Sequence, residues 1–115
     1  MTIMYGIPNC DTIKKAKKLL TDNNIDFTFH DYRKDGINEA LIDTFFMQLG
    51  WENVLNKRGT TYRALSDEQK QTLNEQSAKK LLLDAPAMIK RPILVHQDHY
   101  HLGFKKEQYQ GIFSL

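Results

Sequence analysis

The sequence predicts an α/β domain built on a mixed β-sheet, with flanking helices and a helical insertion between the second and third strands. Three features point to it. A strand, a helix and a second strand follow one another over residues 1–32; residues 33–89 change to helical spacing; and residues 90–115 return to two short strands and a closing helix. At 115 residues the chain is the size of one domain, 1–115, with sheet parts at about 1–32 and 90–115 and the insertion at about 33–89.

Thr2-Ile3-Met4-Tyr5 is strand-like and runs through Gly6-Ile7-Pro8-Asn9, a turn-forming stretch. Ile13, Ala16, Leu19 and Leu20 then recur at helical spacing while Lys14, Lys15, Lys17 and Lys18 take the other side, so an amphipathic helix starts at about Asp11 and ends at Asp22-Asn23-Asn24. Ile25-Asp26-Phe27-Thr28-Phe29-His30-Asp31 alternates apolar and polar residues, the mark of a half-buried strand. Strands joined through a helix usually pair in parallel, with a right-handed crossover. Tyr32-Arg33-Lys34-Asp35-Gly36 forms the boundary. Beyond it Leu41, Ile42, Phe45, Phe46 and Leu49 make a helical stripe that Gly50 is placed to stop. Ser66-Asp67-Glu68-Gln69 has the form of a capping box opening a helix at Asp67, and Asn74 to Asp84 reads as another, ended before Pro86. Pro92-Ile93-Leu94-Val95-His96 and Tyr100-His101-Leu102-Gly103-Phe104 flank a turn at Gln97-Asp98 and predict an antiparallel hairpin, after which Lys105 to Phe113 is helical.

The net charge is +2 and the charges are interspersed, so no single-sign field points to nucleic acid or a membrane surface as a direct partner. A single cysteine cannot form an internal disulfide, and a reducing cytoplasm fits it best. The first residues show neither a charged n-region nor an apolar h-region, and no apolar run is long enough to cross a bilayer. No heptad or apolar patch declares an interface, which makes a monomer the default. Three histidines, His96, His99 and His101, gather near the hairpin, but no cysteine pair or carboxylate set accompanies them at a spacing that closes a tetrahedral metal shell.

Residue types leave two readings of Cys10. Free cysteine often fills a core as a small hydrophobe. Here its neighbours are Pro8, Asn9 and Asp11, which are turn and cap residues rather than core positions. Unpaired N–H groups at a helix start carry partial positive charge and stabilise a thiolate; helix starts and nearby cations lower a thiol from about 8.5 to roughly 3.5–7.5. Lys14 and Lys15, one turn on, have the sign to add to this.

Five stretches in register carry a resemblance: Tyr5-Gly6-Ile7-Pro8-Asn9-Cys10-Asp11-Thr12, Phe29 to Gly36, Asn56-Lys57-Arg58-Gly59-Thr60-Thr61-Tyr62-Arg63, Ile89-Lys90-Arg91-Pro92-Ile93-Leu94, and Gly103-Phe104-Lys105. Together they span nearly the whole chain. They resemble the arsenate reductase (ArsC) and Spx family of thioredoxin-like proteins, nearest to its YffB-type branch. The resemblance implies a thioredoxin-like fold, with Cys10 as nucleophile and Pro92 as the cis-proline packed beside it. It implies that Arg91 projects towards the sulfur, where a planar guanidinium can grip an oxyanion or carboxylate through two hydrogen bonds. Arg58, or Arg63 or Lys57 in its place, corresponds to a further anion-binding residue. Asn9 and the Asp11 and Thr12 amides complete the expected binding set around the helix start, and Lys14 favours the thiolate.

The chain also departs from the family's pattern. Lys105 stands where arsenate reductases carry another arginine and offers charge without a bidentate fork. Gly6 stands where they carry a histidine four residues before the cysteine. Ile13 removes the C-x-x-C of Spx-type switches, and Ala16 removes the arginine of a C-x5-R phosphatase. The implied activity is a thiol-dependent reductase with glutathione as co-substrate, a small thiol or oxyanion as substrate and glutaredoxin as a partner that completes the cycle. Two rivals follow from the same resemblance: an Spx-like module that docks on the RNA polymerase α subunit, and an arsenate reductase coupled to glutathione and glutaredoxin.

Overall fold

The computed structural model describes residues 1–115. In chain order it contains β1 (Thr2–Gly6), α1 (Asp11–Asp22), β2 (Thr28–Asp31), α2 (Glu39–Leu49), α3 (Trp51–Val54), α4 (Thr60–Arg63), α5 (Asp67–Gln71), α6 (Glu75–Asp84), a 3-10 turn (Pro86–Met88), β3 (Ile93–His96), β4 (His99–Leu102) and α7 (Lys106–Ile112). The chain divides into two compact units, Met1–Asp35 with Arg91–Leu115, and Gly36–Lys90.

The first unit holds a four-stranded sheet in the order β2-β1-β3-β4. β1 pairs parallel with β2 and antiparallel with β3, and β3 pairs antiparallel with β4, which is the mixed sheet that the crossover helix and the hairpin predict. The hairpin turn falls at Gln97 and Asp98, whose φ angles of 50° and 66° suit a two-residue turn matched to the strand twist. Met4 and Leu94 are opposite each other in the register and join Ile13, Ala16 and Leu20 of α1 and Tyr109 of α7 in one fully buried core. Alternation then puts Tyr5, His30 and Ile93 on the other face of the sheet. Phe104, Ile112 and Phe113 pack against the α1–α7 side of the core.

The second strand is shorter than its alternation predicts. It begins at Thr28, not Ile25, because Ile25 N–H caps α1 by donating to the Leu20 carbonyl (2.9 Å), after a turn through Asn24 at φ 56°. The register that pairs Ile3 with Thr28 also runs out of β1 before it reaches residue 25.

In the second unit Asn38 caps α2, accepting from Leu41 N–H (2.9 Å), and Gly50 ends it at φ 88°. Ser66 and Gln69 form the capping box read from the sequence, with backbone donors reaching each side chain at 3.1 and 2.9 Å. Asn74 and Ser77 form a second box at the start of α6. Ile42, Phe45, Phe46, Val54, Ala78, Leu82 and Met88 are buried. The chain enters and leaves this helical region side by side: Leu55 bridges Ile89, Asn56 N–H donates to Met88 and Lys90 N–H to Val54, each at 2.7 Å.

Candidate active site

β1 delivers the chain to the start of α1 through a tight turn. Pro8 and Asn9 are exposed, Cys10 N–H donates to the Pro8 carbonyl (2.9 Å), and the Cys10 carbonyl accepts from Lys14 N–H (3.0 Å), the first bond of the helix. Cys10 is extended, at φ −151° and ψ 128°, and stands at the N-cap of α1, partly exposed. The approach to it is close. A Cβ at Gly6 would lie 2.6 Å from Ile13 Cδ1, and Ile13 is fully buried. Gly6→Ala is therefore expected to cost about 1–3 kcal/mol by overpacking, read as a lower urea midpoint; an unchanged midpoint would show that Ile13 moves aside freely.

Burial by itself pushes the Cys10 thiol up, but the Ile13 N–H, the Arg91 guanidinium and the Thr12 N–H outweigh it and bring the thiol below its ordinary value. The lowering comes from donors ranged about the sulfur at the helix start. Thr12 and Ile13 are the second and third helical residues, the positions whose amides face an N-cap side chain. The amides that lower the thiol are those of Thr12 and Ile13, while Asp11 is an exposed first-turn residue. Lys14, expected to favour the thiolate, is exposed and is not among the groups that lower the thiol.

Arg91 precedes β3, and the Arg91–Pro92 peptide is cis. Pro92 is buried, and its carbonyl accepts from Gly103 N–H (2.8 Å), which ties the start of β3 to the end of β4. Lys105 is the exposed N-cap of α7, its N–H donating to Gln108 Oε1 (3.2 Å). Arg58 belongs to the second unit, exposed, its N–H held by Asn56 Oδ1 (3.1 Å).

Sequence reading missed Tyr32. Taken as part of a polar boundary, it is only 2 % exposed, and its N–H donates to the Gly6 carbonyl (3.1 Å). Its ring stacks on Tyr5 with centroids 6.3 Å apart and meets the edge of His30 at 6.0 Å. Burial and the neighbouring Tyr5 hold its phenol far above the usual range, and Arg91 only partly offsets them. The signal available in the sequence was position: Tyr32 continues the alternation of His30 past the end of β2.

The histidines take other roles. His96 Nδ1 bonds Thr2 Oγ1 (2.7 Å) and its ring packs on Phe113 at 4.5 Å. No group of three or more histidine, cysteine or carboxylate side chains is arranged to hold a metal ion. A surface groove of about 540 Å³ lies between α1 and α7, lined by Lys15, Lys18, Leu19, Phe104 and Lys106 among others, and neither Cys10 nor Arg91 borders it.

Comparison with known proteins agrees with this geometry. The family model described as ArsC matches residues 5–112. An uncharacterised protein of Haemophilus influenzae is 41% identical over 114 residues, covering 99% of this chain and 100% of that one. The global transcriptional regulator Spx 2 of Bacillus anthracis is 26% identical over 111 residues, 94% of this chain and 83% of its own. Among solved structures, a YFFB protein superposes with a TM-score of 0.91 at 40% identity, covering 96% of this chain and 97% of that one. An arsenate reductase (ArsC) related protein from Brucella melitensis gives 0.82 at 43% identity over 99% and 95%.

Proposed function

This chain belongs to the ArsC family, and on that premise we propose that it is a glutathione-dependent thiol reductase acting through Cys10. The observation that carries the reading is the depressed Cys10 thiol, with two helix-start amides and the Arg91 guanidinium around it on a thioredoxin-like α/β scaffold. The thiolate attacks one sulfur of a disulfide that contains glutathione. A new bond forms between Cys10 Sγ and that sulfur, the old S–S bond breaks, and the other half leaves as a thiolate that takes a proton from water. Cys10 has no cysteine partner in the chain, so a second thiol from outside, glutathione itself or a glutaredoxin, attacks the mixed disulfide and restores the Cys10 thiolate. Arg91 holds a carboxylate or oxyanion of the incoming molecule, and the Thr12 and Ile13 amides hold negative charge on sulfur as it develops.

A mixed-disulfide substrate supplied with glutathione, glutathione reductase and NADPH tests this. NADPH oxidation is expected to depend on the protein and on glutathione, and to fall to background when arsenate replaces the disulfide, because Gly6 and Lys105 stand where arsenate reductases carry histidine and arginine. Background rates with the disulfide would overturn the reading.

A second reading is docking to RNA polymerase, favoured by the relatives named Spx. It does not need a reactive thiol. Purified polymerase retained equally by the wild type and by Cys10→Ser, with no disulfide turnover, would favour it over catalysis.

A further inference from the structure

The groove between α1 and α7 is built from fixed parts. Phe104 meets the buried ring of Tyr109 edge-on, with centroids 4.7 Å apart. Phe104 and Leu19 both pack against the core while staying partly exposed, so together they give the groove an apolar floor. Beyond α7 the chain folds back, Leu115 N–H donating to the Gln110 carbonyl (2.8 Å), and the half-exposed Leu115 side chain adds to the apolar lining. Lys15, Lys18, Leu19 and Asp22 lie at helical spacing on one face of α1, and Lys106 lines the groove from α7. The charges here are unevenly matched. Lys18 donates to Asp22 (2.9 Å), and Lys17, outside the groove, lies over the Phe29 ring at 3.7 Å. Lys15 and Lys106 have no acidic partner: the ion pairs of the chain are Lys18–Asp22 and Lys79–Asp43.

We propose that this groove is a binding site for a small amphipathic anion, an acyl chain ending in a carboxylate, with the chain laid over Leu19 and Phe104 and the head held by Lys15 and Lys106. The inference stands apart from the reading of Cys10, since neither Cys10 nor Arg91 borders the groove. A volume of about 540 Å³ is that of a small-molecule site, and apolar walls with a few polar groups are the usual makeup of one. Three features select the ligand class. The floor of Leu19 and Phe104 favours a hydrocarbon body, because water leaves both surfaces when they meet. The two unpaired ammonium groups favour a negative head; a neutral amphiphile would leave them as they are, and a compact polyanion would leave the floor uncovered. Asp22, the acidic side chain of the lining, is already neutralised by Lys18 and does not oppose such a head. The lysine stems serve both ends of the ligand, extending the apolar wall while their charged tips reach the carboxylate.

The test is a titration of the isotope-labelled protein, followed by its amide NMR spectrum, with octanoate held below its micelle concentration and, in parallel, with octanol and with acetate. Octanoate is expected to shift the amides of Lys15 to Asn23 and of Phe104 to Gln110 saturably. Octanol should need about tenfold more to reach its midpoint, and acetate should give no saturable shift over the same range. The double variant Lys15→Gln, Lys106→Gln changes two exposed side chains and leaves the floor intact. It is expected to raise the octanoate midpoint about tenfold and to leave that of octanol in place. Equal midpoints for octanoate and octanol, or an octanoate midpoint unmoved in the double variant, overturn the anionic head and with it the proposal. Saturation by acetate at the concentrations that suffice for octanoate overturns it in favour of an adventitious ion only. Octanoate shifts that fall elsewhere in the chain, or none, overturn the groove as the site.

Discussion

Exposed to glutathione disulfide at neutral pH, the wild-type protein is expected to gain the mass of one glutathione, and Cys10→Ser none. The chain has one thiol, so every adduct reports on it. A hydroxyl keeps the size and the N-cap position of the side chain, and serine is a better helix N-cap than most residues, so the fold should be at least as stable. What serine cannot do at neutral pH is ionise, and disulfide exchange runs through the thiolate. Loss of the adduct together with an undiminished thermal midpoint separates chemistry from folding. Turnover of Cys10→Ser at the wild-type rate would remove Cys10 from the mechanism altogether.

Arg91→Ala is expected to slow that reaction on the order of 10-fold to 100-fold at neutral pH, the value of a lost hydrogen bond to a charged group, and to move the pH profile of alkylation upward. The direction follows from the balance at the sulfur. Burial raises the thiol, and Arg91, with the Thr12 and Ile13 amides, lowers it by more; without Arg91, burial gains. Arg91→Lys restores charge without the planar fork, so it should recover part of the pH shift and less of the rate. The same depression has a sign for stability. Cys10 ionises more readily folded than unfolded, so its ionisation stabilises the fold above the unfolded thiol value, and that increment disappears as pH falls through the folded one. Arg91→Ala should flatten this dependence. An unchanged profile would assign the lowered thiol to the helix start alone.

Much of this site was legible because turn chemistry is local. Pro8, Asn9 and Asp11 around one cysteine marked a helix start, and Ser66 with Gln69 and the pair Gln97-Asp98 marked structure that depends on four residues at a time. What escaped depends on partners distant in sequence. Ile25 to Phe27 alternate as a strand does, yet the hydrogen bond of Ile25 goes back to α1, and a period cannot announce that. The helices α3 and α4 are four residues long, too short for any period to show. Tyr32 was hidden by its polar neighbours Arg33, Lys34 and Asp35, all exposed, while its own ring packs on Tyr5 and His30. Ile13 was placed correctly as a core residue, but its amide faces the sulfur, and a side-chain pattern does not reveal a main-chain role.

The 2.6 Å that separates a Cβ at Gly6 from Ile13 makes positions 6 and 13 a coupled pair. A histidine introduced at position 6 alone meets a filled core, and a smaller residue at position 13 alone leaves a cavity behind a glycine. Each single substitution is therefore expected to cost stability, while the double substitution is not so constrained. Variant libraries that randomise one position at a time are expected to score both sites as less tolerant than libraries that vary them together. The permitted combinations emerge only when the two codons are varied together.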